Sequence, residues 1–144
     1  MSIVIEHLNY IYMQGGPYET RALDDVSLTI HDGEFIGLIG HTGSGKSTLV
    51  QHLNGLILPT SGKITVDGMD LAEKGTDRRA IRRRVGLVFQ YPENQLFEET
   101  VAKDIAFGPK NLGLDEEEID RRVRTAMRRV ALDYDKLAQR SVFE

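Results

Sequence analysis

Residues 40–48, Gly40-His41-Thr42-Gly43-Ser44-Gly45-Lys46-Ser47-Thr48, have the types and spacing that could grip phosphate. They fit the G-x-x-x-x-G-K-[ST] pattern at Gly40, Gly45, Lys46 and Ser47. Glycine tolerates positive φ and lets the backbone approach a ligand closely. Successive N–H groups can then face one concavity at the start of a helix, where the helix dipole favours an anion. Lys46 adds a mobile positive charge for the β and γ phosphates. The Ser47 hydroxyl suits a hard cation such as Mg²⁺. The pattern carries weight only between a strand and a helix.

The flanking residues predict both. Residues 34–39 form an apolar run suited to a buried strand, and Leu49, Leu53 and Leu56 recur at helical spacing over residues 47–56. Upstream, residues 3–8 read as a first strand and residues 13–20 as a loop rich in turn formers. Val26, Leu28 and Ile30 alternate with polar neighbours, the pattern of a half-buried antiparallel strand over residues 22–30. Downstream come a turn at 59–62, a short strand ending in a turn at 63–68, and a polar, partly helical stretch over 70–84. Residues 85–90 read as a second buried strand, ending on Gln90. Residues 98–110 read as a helix with Val101, Ile105 and Phe107 on a partly apolar face. Asp115 with Glu118 three positions on has the form of a capping box. Ile119, Val123, Met127, Val130 and Ala131 then follow as the apolar stripe of an amphipathic helix, with Arg121, Arg122, Arg124, Arg128 and Arg129 mostly on its wet side.

Composition narrows the class. A chain of 144 residues suits one domain of modest size, and 40% hydrophobic with 28% charged residues is a soluble globular balance. The longest apolar run, 35–39, is far short of the ~20 residues of a membrane span. The N-terminus lacks the basic start and apolar stretch of a signal peptide. Absence of cysteine excludes disulfides, thiolate metal ligands and thiol redox chemistry, and is compatible with the cytoplasm. A net charge of −4 gives no reason to expect nucleic acid. His7, His31 and His52 are scattered without metal-ligand spacing and read as surface or packing residues. The basic run Arg78, Arg79, Arg82, Arg83 and Arg84 reads as a solvated helix face, with a membrane surface or partner as the sharper option.

A strand-rich start, the phosphate loop and a strand ending in Gln90 together resemble the nucleotide-binding subunit of ATP-binding cassette transporters. Residues 39–49, the run Phe89-Gln90-Tyr91-Pro92-Glu93-Asn94-Gln95-Leu96-Phe97, and residues 98–108 look like the ATPase subunits of energy-coupling factor transporters, more like the second ATPase of the usual pair. The resemblance covers essentially the whole chain. It implies an α/β fold: a P-loop NTPase with a RecA-like core and an N-terminal antiparallel β subdomain over residues 1–90, then the Q-loop and part of a helical subdomain over 91–144.

It also implies ATP and Mg²⁺ as ligands. Gly40, His41, Thr42, Gly43, Ser44, Gly45, Lys46, Ser47 and Thr48 would hold the phosphates. Lys46 and Gln90 would serve the reaction, and Ser47 and Gln90 the metal. Tyr12 would stack on adenine, with Tyr10 as the alternative, since stacking needs only a flat π surface. The x positions act mainly through backbone N–H groups, so a specific side-chain role for His41 is the lesser reading. Residues 91–97 would receive the coupling helix of a membrane subunit, or else pack on their own domain.

The implied partners are a second ATPase subunit in a hetero- or homodimer, a transmembrane coupling subunit and a substrate-binding membrane subunit. The implied place is the cytoplasmic face of the cell membrane. The implied work is ATP-driven uptake of vitamins or transition-metal ions. The family's Leu-Ser-Gly-Gly-Gln signature, its strand ending in Asp with a catalytic Glu, and its switch His are not in the sequence. The expectation is therefore an N-terminal portion of a longer ATPase that binds nucleotide weakly and hydrolyses little, with apolar surface uncovered around residues 35–39. A soluble cassette ATPase of DNA repair or translation and a small P-loop kinase are the rival readings. The strand over residues 26–30 and the Gln90 segment speak against the kinase.

Overall fold

The computed structural model describes residues 1–143, which divide into two units, Met1–Leu87 and the part from Val88 onward. The first unit is built on a four-stranded antiparallel sheet. Its strands are β1 (Ile3–Tyr12), β2 (Thr20–Ile30), β3 (Ser61–Val66) and the two-residue β4 (Met69–Asp70), in spatial order β2-β1-β3-β4. In register, Ile3 faces Ile30 on one side and Val66 on the other, and Ile5 faces Leu28 and Ile64. Asp67 and Gly68 join β3 to β4 with φ of 47° and 80°, the left-handed pair that a tight hairpin requires.

Alternation sends Ile3, Ile5, Ile64 and Val66 to one buried face, and a register shift after Ile5, with His7 at φ 50°, brings Leu8 to it as well. Leu49 from helix α1 (Lys46–Leu53) and Ile81 from helix α2 (Arg78–Arg84) belong to the same core. Each such side chain is worth about 1.5–3 kcal/mol of burial. The helix that follows the phosphate loop is thereby tied to the sheet.

Neither expected buried strand forms. Residues 34–41 carry no regular structure, Phe35 is fully exposed and Ile39 is 95% exposed. Residues 86–89 are likewise irregular, with Val88 80% exposed. A strand is defined by its inter-strand hydrogen bonds, and a run apolar on both faces needs parallel neighbours and covering helices. Among the described residues, neither run has a ladder partner.

The second unit is helical. A 3₁₀ turn at Pro92–Gln95 precedes α3 (Val101–Asn111), α4 (Glu116–Arg129) and α5 (Tyr134–Leu137). Ala106, Val123, Met127 and Ala138 form its core. The expected stripe on α4 is correct at Val123 and Met127 and fails at its end. The helix stops at Arg129, Val130 is exposed, and Ala131 turns to φ 58°. The capping box is half made. Asp115 Oδ1 accepts from the Glu118 N–H at 2.8 Å, but the Glu118 carboxylate goes to Arg121 and Arg122, at 2.7 Å each. Two guanidiniums outcompete one backbone N–H. They pull the Glu118 carboxyl down to about 2. No described helix is long and apolar enough to cross a membrane.

Candidate phosphate-binding site

The loop before α1 is shaped by glycine. Gly43 and Gly45 both sit at φ 84°, and Gly45 is the N-cap of α1. A Cβ on Gly45 would lie 2.5 Å from the Ala22 carbonyl oxygen, so a side chain there is excluded by packing against β2 as well as by φ. The helix proper starts with the Leu49 N–H donating to the Gly45 carbonyl at 2.8 Å. No side chain caps its N-terminus, and no acidic residue occupies the first turn. The positive end of its dipole is therefore not answered by a side chain of the helix itself.

Lys46 folds over the loop that carries it. Its Nζ donates to the carbonyls of Gly40 and His41 at 2.7 Å each and lies 3.2 Å from Ser44 Oγ. An ammonium with three donors is thus held beside the uncapped helix start by neutral acceptors, which an anion would displace. His41 turns its ring to its own loop, Nδ1 lying 2.8 Å from the Thr42 carbonyl oxygen. Ser47 is exposed. Its hydroxyl suits a hard cation by donor type. Among the described residues, no group of three His, Asp or Glu side chains is placed to hold a metal.

Tyr12 and Tyr10 separate clearly. Tyr10 packs against the sheet core, whereas Tyr12 is 40% exposed at the end of β1. The Tyr12 hydroxyl lies 3.1 Å from Thr48 Oγ1, on the helix that begins at the loop. His52, one turn further, is fully buried, and its Nδ1 donates to the Thr48 carbonyl at 2.7 Å. Burial pulls the His52 imidazole below its ordinary range, outweighing the nearby Thr48 and Leu58 carbonyls. Sequence reading placed His52 among surface or packing residues. Its position one helical turn after Thr48 was the available signal for a local tie.

Gln90 belongs to the second unit and is exposed at a bend before the 3₁₀ turn. In the segment that follows, the Phe97 ring meets Phe107 edge-on at 4.6 Å, and the N–H groups of Phe97 and Glu98 both donate to Asp104 Oδ1 at 3.2 Å. This end of the segment packs on its own helix α3. Beside it, a largely apolar cleft of about 410 Å³ is lined by Leu96, Val101, Ile105, Leu132, Leu137 and Val142 among others. The basic run on α2 is partly engaged: Arg82 donates to the Gly55 carbonyl at 3.1 Å and Arg84 pairs with Asp67.

Comparison with known proteins bears on the family and the fold. The chain is 61% identical, over its whole length, to the energy-coupling factor transporter ATP-binding protein EcfA2 of Clostridium tetani, of which it covers 50%. It is 51% identical to the protein of the same name from Streptococcus pneumoniae, of which it covers 52%. The chain thus spans about half the length of these relatives. Among solved structures it is similar to cbiO1 of Clostridium perfringens, part of the ABC transporter complex cbiONQ, with a TM-score of 0.75 and 40% identity over 92% of this chain and 51% of that one. It is also similar to the dimeric bacterial ABC transporter cassette MJ0796, with a TM-score of 0.80 and 26% identity over 96% of this chain and 61% of that one. The family described as ABC transporter matches residues 23–143, which take in the phosphate loop, α1 and all the helices of the second unit. On that match the chain belongs to the ABC transporter family.

Proposed function

We propose that this chain is the phosphate-gripping part of an ATP-binding subunit of an energy-coupling factor type importer. ATP with Mg²⁺ is its ligand. The N–H groups at the start of α1 and the Lys46 ammonium take the phosphates along residues 40–48. The Ser47 hydroxyl offers the metal a hard oxygen, and Gln90 serves the metal and senses the γ-phosphate. Tyr12 is the adenine platform in preference to Tyr10, because Tyr10 is spent in the core. The observation that carries the reading is the uncapped start of α1, with glycines at φ 84° before it and Lys46 Nζ held 2.7 Å from two loop carbonyls. The names of the relatives support the transporter assignment.

In the assembled importer, two such ATPase subunits pair and drive a transmembrane coupling subunit and a substrate-binding subunit. The work is uptake of a vitamin or transition-metal ion, on the cytoplasmic face of the membrane. Residues 91–97 take the coupling helix, and residues 1–90 and 91–144 are the working domains. Replacement of Lys46 by alanine tests the central claim. Loss of a charge-assisted phosphate contact, worth about 1.5–3 kcal/mol, should weaken ATP binding by roughly 10–100-fold in titration calorimetry. Unchanged affinity would remove the phosphate assignment. Gln90→Ala should leave binding near wild type and lower turnover in the assembled transporter.

A further inference from the structure

Four residues form a closed circuit between the end of β1 and the first turns of α1. The Tyr12 hydroxyl lies 3.1 Å from Thr48 Oγ1, and the Thr48 carbonyl accepts from His52 Nδ1 at 2.7 Å. The His52 ring meets Tyr10 at 4.8 Å and 77°, and Tyr10 meets Tyr12 at 4.8 Å and 88°. Both ring contacts are edge-to-face, an attractive arrangement for aromatic quadrupoles. Two of the members are anchored: His52 is fully buried and Thr48 is 7% exposed. Tyr12 alone is open to solvent, and it is held at two points, by its hydroxyl and by its ring.

We infer that Tyr10 and His52 are positioning residues that fix the plane of Tyr12 relative to the phosphate loop. The inference rests on the reading of Tyr12 as the base platform. A half-exposed tyrosine at a strand end would otherwise spread over its staggered χ1 wells. Here a ring contact from Tyr10 and a hydroxyl contact to Thr48 leave it one orientation. Thr48 and His52 sit on the helix that starts at the phosphate loop, so platform and loop move as one body. A ligand carrying both a base and a triphosphate then meets two surfaces already at fixed separation, which lowers the ordering cost of binding. A ligand with phosphates alone gains nothing from the circuit.

The test compares ATP with inorganic tripolyphosphate, each with Mg²⁺, on the whole chain by titration calorimetry. The readout is the ratio of the two dissociation constants. In the wild type, ATP should bind roughly tenfold tighter, toward the lower end of what base stacking on an aromatic ring contributes. Tyr10→Leu should cut that ratio about threefold or more while leaving tripolyphosphate affinity unchanged, and Tyr12→Phe should cut the ratio to a similar extent, since preorganisation of the base platform is lost in both. Tyr12→Phe removes only the hydroxyl contact to Thr48 and keeps the ring, and a melting temperature measured beside each affinity separates a folding defect in either variant from lost positioning. Tyr12→Leu is the control for the platform. If it abolishes the ratio while Tyr12→Phe and Tyr10→Leu keep the wild-type value, Tyr12 is the platform and the positioning circuit is refuted. If Tyr12→Leu also keeps the ratio, or the wild type shows none, the platform reading falls and this inference with it.

Discussion

β1 and the run at 35–39 are both apolar, yet one is a central strand and the other lies open to solvent. β1 is bonded along both edges, to β2 and to β3, and Ile5 and Ile64 meet across that ladder almost wholly buried. Among the described residues, 35–39 have no strand partner, and Phe35 and Ile39 are among the most exposed large side chains. The same contrast holds between β3 and residues 86–89. Strand propensity states what a segment would do on a pleated, half-buried surface, and it cannot supply the surface. The phosphate loop sits at the junction. It follows an unpaired run, and its order comes from the other side, through Gly45 against Ala22 and Leu49 in the sheet core.

The largest test of this contrast is paired truncation. Ile64→Ala should cost about 2–5 kcal/mol in chemical denaturation, as a buried large-to-small change does, whereas Phe35→Ser should cost almost nothing and should raise solubility. A large loss on Phe35→Ser would mean that the run is packed after all. Next comes Gly45→Ala. A Cβ 2.5 Å from the Ala22 carbonyl at φ 84° should strain the loop by about 1–3 kcal/mol and weaken ATP binding with it. Equal binding and equal melting would show that the sheet does not hold the loop. Amide exchange should then separate the regions directly: slow at Ile5, Ile64 and Val66, fast throughout 35–39 and 86–89.

The smallest effect lies in the helical unit, whose α4 leans on short-range pairs. The Glu118 carboxyl falls from the ordinary 4.5 to about 2 because Arg121 and Arg122 hydrogen-bond its charged form. Its folded value is therefore below its unfolded one, so its stabilising contribution is full above pH 4.5 and fades as pH falls toward 2. The stability gap between wild type and Glu118→Gln should shrink through that window. A gap independent of pH would remove the ion pairs as its cause.

Much of the site was legible from residue types at short separation. The residue types of the loop at 40–48, the helix after it, the Asp115 cap and the Val123–Met127 pair are patterns within about a turn that a local reading can find, although the loop's packing against Ala22 is not local. The hairpin between β3 and β4 was readable as a strand ending in a turn, because Asp67-Gly68 demands left-handed backbone. Four things were decided elsewhere: which apolar runs find a partner, which of two nearby tyrosines is spent in the core, that His52 on the loop helix is buried against Tyr10, and that Glu118 prefers two arginines to its own cap. Each of the first three is settled by contacts between residues far apart in the chain, such as Tyr12 with Thr48, and hydrogen bonding and burial then favour one arrangement that no single stretch encodes. The fourth was a local competition that residue types alone left undetermined, and the charge-assisted geometry of the folded helix resolved it.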